Sequence, residues 1–153
     1  IGFSFCDVDV AKKFTALQSQ VTSNPATPSQ MAALAAYTDT TAAAASVESM
    51  GQAFLRRRDL VCRRMEELLP GVAFVKPAGA FYLYFRVDAF FDGEVTSATE
   101  WCSQLLEKQG VALVPGAAFG DDRWVRMSYA SADDVLEKAF GRIAAMVGAG
   151  AST

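Results

Sequence analysis

The sequence predicts an α/β fold in two layers, with helices lying on one face of a small, mainly antiparallel sheet. Two observations lead there. From residue 46 onward the periodic stretches run helix, strand, strand, helix, strand, strand, helix, an order that packs helices over a short sheet. Apolar residues make up 52% of the 153 positions and charged residues 20%, a balance that supplies a core.

Residues 1–6 read as a short buried strand. Asp7 is placed to cap a helix through "VDVAKKFTALQSQ". "TSNP" breaks that helix, because the residue before a proline avoids helical geometry. "TPSQMAALAAY" restarts it, with Thr27 as N-cap, Pro28 at the first helical position and Gln30 completing a capping box. "TDTTAAAAS" reads as a linker, and the chain divides there into residues 1–45 and 46–153.

A long helix over 46–69 follows, with Val47, Met50, Phe54, Val61, Met65 and Leu68 in an apolar stripe. Its basic runs "RRRD" and "RRMEE" read as a solvated face interleaved with acids. Strands are predicted over 72–75 and 80–87. The next helix starts on a capping box of Ser97 with Glu100 and stops at Gly110. "VALV" at 111–114 is a strand ended by Pro115 and Gly116, and "RWVRMSYAS" at 123–131 is another. A third box, Ser131 with Asp134, opens the last helix, which turns Leu136, Ala139, Phe140, Ile143 and Met146 inward.

Composition excludes several functions. A net charge of -3 argues against a nucleic-acid or membrane surface, since both need clustered positive potential. No apolar run reaches membrane-spanning length, and no basic-then-apolar leader opens the chain. Three cysteines without CxxC spacing point to a reduced, cytoplasmic setting. With no histidine, Ser/His and Cys/His pairs and His-ligated zinc are impossible within this chain, and no metal site is expected. The opening "IGFSFC" lacks an initiator methionine and suggests a piece of a longer protein.

One residue stands out chemically. In the strand at 123–131, Val125, Met127 and Tyr129 share one face while Trp124, Arg126 and Ser128 share the other. A guanidinium keeps its charge and needs an anion, or water, in front of it. Arg126 is either a fork for a visiting carboxylate, with Ser128 beside it, or a structural arginine that reaches water or pairs with Asp121, Asp122 or another acid. "VPGAAFG" can pass close to a ligand or serve as a plain connection. "GAFYLYF" is core or substrate wall, and Ser23 and Asn24 in "TSNP" are turn formers. Lysines 12, 13, 76, 108 and 138 have no special context, and the acids form no evident catalytic pair.

The motifs "QSQVTSNPATPSQMAALAAY", "KPAGAFYLYFRVD", "GVALVPGAAFG" and "WVRMSYA" occur in this order. Together they resemble the C-terminal part of class I/II, fold-type I aminotransferases, in particular the aspartate aminotransferase branch. The resemblance covers essentially the whole chain.

It implies that residues 1–45 are the tail of a large pyridoxal-phosphate domain and 46–153 the small C-terminal domain. It implies an amino-group exchange between an amino acid, of aspartate or glutamate type, and a 2-oxo acid. Arg126 would bind the substrate α-carboxylate, with Ser128 assisting and Phe81 close by. Ser23 and Asn24 would reach the cofactor phosphate region of a neighbouring subunit, which implies a homodimer. The cofactor, pyridoxal 5'-phosphate, would be held mainly by residues the chain lacks, including the Schiff-base lysine. The chain by itself is therefore expected to be inactive, with no catalytic residue and no stable hold on the cofactor.

One departure concerns specificity. Some aspartate-using relatives carry an arginine about one turn before "SNP", where this sequence has Gln18, Ser19 and Gln20. Alternatives are an aminotransferase of aromatic, alanine or kynurenine preference, or a non-enzymatic amino-acid-binding or dimerisation module.

Overall fold

The computed structural model describes residues 1–150, with side chains through 148. Two compact units follow each other along the chain, Ile1–Met50 and a second from Gly51 onward.

In the first unit, residues 1–7 are exposed and form no regular element. The strand expected over 1–6 is absent, because a strand needs a partner ladder and nothing in this unit is extended beside it. Helix α1 (Val8–Val21) forms as its cap predicts, with the Asp7 carboxylate accepting the Asp9 N–H at 2.9 Å. Helix α2 (Thr27–Thr38) has proline in its first turn, but Ala26 holds the N-cap position. Thr27 therefore lies inside the helix, and Gln30 donates to the Pro25 carbonyl at 2.7 Å instead of closing a box.

Helix α3 (Thr40–Leu68) begins earlier than the sequence suggests. The alanine run read as a linker is helical, which its high intrinsic propensity favours, and Asp39 accepts the Ala42 N–H at 3.0 Å. No residue from 1 to 50 is buried. Ile1, Phe3, Leu17 and Tyr37 each expose more than half of their surface.

The second unit holds the sheet and the core. Strands β1 (Phe74–Val75), β2 (Tyr82–Arg86), β3 (Val114–Pro115) and β4 (Trp124–Ser128) form a four-stranded antiparallel sheet in the order β1-β2-β4-β3. All four are shorter than the sequence predicts. The central pair is β2 with β4, and Tyr84 faces Arg126 across it. Leu83, Phe85, Val125 and Met127 are buried.

These four pack with Leu60, Val61, Cys62 and Met65 of α3, with Trp101, Cys102 and Leu105 of α4 (Ala98–Gln109), and with Leu136, Phe140 and Ile143 of α5 (Asp133–Gly150). The helices thus cover one sheet face, and burial of each large side chain stabilises by ~1.5–3 kcal/mol. Ser97 accepts the Glu100 N–H at 3.1 Å and Gly110 ends α4, as the sequence indicates. At α5 the Ala132 carbonyl takes the Val135 and Leu136 N–H groups at 3.1 Å each, so Ser131 lies too early to cap it.

The basic runs of α3 do more than stay solvated. Arg56 and Arg57 reach Asp133 at 3.3 and 2.8 Å, and Arg64 grips Glu137 at 2.6 and 2.9 Å. They tie α3 to α5 across the unit. Hydrogen bonds from Arg57 and then Arg56 lower the Asp133 carboxyl, and those from Arg64 lower Glu137. A lowered carboxyl contributes stability that is complete above its ordinary value and lost as pH falls through the lowered one. We expect Tm to fall as pH drops below the ordinary 4.5 and 3.8 of these groups. A Glu137→Gln/Asp133→Asn double variant should show a flatter Tm profile over the same window, measured by thermal melts.

Candidate functional site

The sheet face away from the helices carries the residues that the sequence singles out. Alternation along β2 and β4 puts Tyr82, Tyr84 and Arg86 beside Trp124, Arg126 and Ser128. Burial agrees, since Val125 and Met127 are sealed while Trp124 and Arg126 are half-buried and Ser128 is exposed.

The guanidinium carbon of Arg126 stands over the Tyr82 ring at 4.3 Å and over the Phe119 ring at 4.4 Å. Among the described residues no carboxylate lies within ion-pair distance of it. The acids expected as structural partners are engaged elsewhere. Asp121 accepts from Arg123 at 2.9 and 2.7 Å, which holds its carboxyl down to about 2, and Asp122 accepts the Thr99 N–H and hydroxyl at 3.1 and 3.0 Å. Arg86 beside it makes a two-bond fork with Asp88, both bonds 2.6 Å.

Phe119 is delivered by the "VPGAAFG" loop, a 3-10 turn over Gly116–Phe119. Gly116 is obligatory there. A Cβ at that position would lie 2.2 Å from the Asp121 carbonyl oxygen and 2.5 Å from that of Trp124. Gly120 closes the turn at φ 95°, a left-handed geometry that favours glycine. Tyr84 stacks on Trp124 with centroids 5.1 Å apart and meets Phe119 edge-on at 6.3 Å. Desolvation, then the charge of Asp121, pushes the Tyr84 phenol up.

Phe81 sits just before β2, with its ring 5.4 Å from Phe54 and 4.6 Å from Tyr82. Its contact with Arg126 is indirect, through Tyr82. Ala80 before it has φ 57°, and Tyr129 pins the pair by donating its hydroxyl to the Ala80 carbonyl at 3.0 Å and its N–H to the Phe81 carbonyl at 2.9 Å. Ser128 accepts the Ala130 N–H at 3.3 Å. Ser23 and Asn24 belong to the first unit, in an exposed turn where Ser23 has φ 65° and Asn24 N–H donates to the Thr22 carbonyl at 2.8 Å. Sequence reasoning missed Tyr82 and Phe119 as neighbours of Arg126. The alternation in "FYLYF" carried the signal for Tyr82 alone.

The described residues contain no cluster able to hold a metal ion and no helix long and apolar enough to cross a membrane.

The model of the aminotransferase class I and II family matches residues 1–143. The chain belongs to that family. The aspartate aminotransferase of Geobacillus stearothermophilus is 40% identical over 144 residues, which cover 94% of this chain and 36% of that protein. The structure of Thermus thermophilus aspartate aminotransferase with maleate superposes with a TM-score of 0.77 at 36% identity, over 90% of this chain and 34% of the other. The aromatic aminotransferase of Pyrococcus horikoshii gives 0.76 at 33% identity, over 92% and 36%. The α/β class and the aminotransferase resemblance read from the sequence are thus borne out. The chain spans about 36% of the length of the curated relatives it matches.

Gly116→Ala should destabilise the second unit by about 1–3 kcal/mol, as overpacking against rigid backbone does. Urea unfolding followed by tryptophan fluorescence checks this, and an unchanged midpoint would contradict the close approach.

Proposed function

We propose that this aminotransferase-family chain supplies the substrate-carboxylate grip of a longer transaminase, and that Arg126 makes it. The observation that carries the reading is a half-buried guanidinium with no carboxylate beside it among the described residues, while Arg86 and Arg123 each hold one. Two parallel N–H groups of an arginine match the two oxygens of a carboxylate and fix its orientation as well as its position. Ser128, exposed on the same face, adds a hydroxyl toward the bound group. The reaction is an exchange of an amino group between an amino acid and a 2-oxo acid, both of which present the carboxylate that Arg126 grips.

A substrate of aspartate or glutamate type is favoured by the relatives' names and by maleate, a dicarboxylate, in the Thermus thermophilus structure. Gln18 and Ser19 near the end of α1 carry no charge, so a second carboxylate would be met by residues other than these.

In this family pyridoxal phosphate supplies the electron sink for the amino transfer. The described residues alone do not fit it. A lysine that holds such a cofactor has to be desolvated or set near another cation. Here Lys13 and Lys76 are exposed, Lys12 lies 3.7 Å from Asp9, and Lys108 and Lys138 donate to Gln104 and Asp134 at 2.8 and 3.0 Å. Ser23 and Asn24 offer only an exposed turn, a geometry suited to contributing polar groups to a site shared with a second copy in a homodimer. In this reading residues 1–45 belong to the cofactor domain and 46–153 to the small domain.

In the full-length protein, Arg126→Ala should raise KM for both amino acid and 2-oxo acid by about ten- to a hundredfold, the loss of a hydrogen-bonded charge pair worth ~1.5–3 kcal/mol. Steady-state kinetics tests this, and an unmoved KM and kcat/KM would remove Arg126 from the role. Equilibrium dialysis of this 153-residue chain against pyridoxal phosphate should show no stoichiometric retention. One tightly held equivalent would show that the chain builds a cofactor site by itself.

A further inference from the structure

We propose that Tyr82 and Phe119 are positioning residues for Arg126: their ring faces stand in for a counter-ion, so that the guanidinium is held in place with its N–H edge free. The proposal rests on the reading of Arg126 as the carboxylate grip and adds how that grip is kept ready.

The contrast among the arginines carries it. Of the nine arginines in the sequence, seven lie within 4 Å of a carboxylate. Arg142 donates to the Gln109 carbonyl at 3.1 Å. Arg126 has neither kind of partner among the described residues and has two aromatic rings instead, at 4.3 and 4.4 Å. Both distances are well inside the range over which a ring quadrupole attracts a cation.

The chemistry explains the choice. A guanidinium presents its five N–H donors in its own plane and accepts nothing. A carboxylate placed against it would occupy those donors and compete with any visiting acid. A ring face attracts the charge without taking an N–H bond, so it orients the side chain and leaves the fork open. The two rings are themselves held. Phe119 is set by the Gly116 close approach and by the edge of Tyr84, and Tyr82 is set by β2 and by the Phe81 ring at 4.6 Å. Phe81 then acts on Arg126 through Tyr82.

The test uses the full-length protein. Tyr82 is 36% exposed and Phe119 48%, so leucine at either position leaves the core untouched. Phe119→Leu and Tyr82→Leu should each raise KM for amino acid and 2-oxo acid by about tenfold, with kcat changed by less than about threefold. Phe119→Tyr and Tyr82→Phe, which keep the ring faces, should restore KM. Phe119→Glu, which sets an anion against the guanidinium, should raise KM more than Phe119→Leu does.

A second readout is independent of turnover. The Arg126 Nε–H resonance of this chain should carry a ring-current shift that Phe119→Leu diminishes. If Arg126→Ala raises KM while both leucine variants leave it within about twofold, the positioning role is wrong and the carboxylate grip stands. The positioning role also fails if Phe119→Glu is no worse than Phe119→Leu, or if the resonance does not move. If Arg126→Ala itself leaves KM unchanged, the grip falls and the positioning role with it.

Discussion

The pairing of β2 with β4 is the constraint on which the second unit depends. Its register sets Leu83 opposite Met127 and Phe85 opposite Val125, and these four close the sheet against three helices. The same register sets Tyr82 opposite Ser128 and Tyr84 opposite Arg126 on the other face. Side chains alternate along a strand, so a slip of one residue would bury Arg126 and expose Met127. Core and site are therefore specified by one set of ladder bonds. The hydrophobic face pins the register, and the register places the arginine.

Charge is distributed over the unit in two ways. The arginines of α3 face acids of α5 or of their own helix, where each pair is partly exposed and acts as a tie between elements more than as a large source of stability. At the β2–β4 strand pair, Arg86 and Arg123 are neutralised locally by Asp88 and Asp121. That local neutralisation leaves Arg126 as a cation among aromatic rings, with the nearest acids already committed. A site for an anion is thus made as much by occupying the competing carboxylates as by supplying the arginine.

Much of this was legible in the sequence because it rests on short periods. The two-residue alternation in "RWVRMSYAS" put Arg126 on the face opposite Val125 and Met127, where it is. The cap at Asp7 and the Ser97 half of the box are local bonds between neighbours, and both formed, while Glu100 accepts from the N–H and hydroxyl of Thr96. What failed depended on distant partners or on propensity. Residues 1–6 have strand composition and no strand to pair with, and the small polar run at 40–46 is helical because alanine favours a helix even without a patterned face. Of the rings around Arg126, only Tyr82 left a signal, in the alternation of "FYLYF", and that signal did not name its partner strand. Phe119 arrives through a turn fixed by backbone crowding at Gly116, and Tyr82 through a register that only the sheet reveals.

Both outer strands of the sheet are only two residues long, and one of them ends in Pro115. Proline has no N–H to offer, and two residues present almost no unpaired ladder to solvent. Such borders offer little ladder for another chain to extend, the usual route from a small β-structure to fibrils. Residues 1–50 expose apolar side chains such as Phe3, Leu17 and Tyr37, a surface that can draw molecules together by hydrophobic contact.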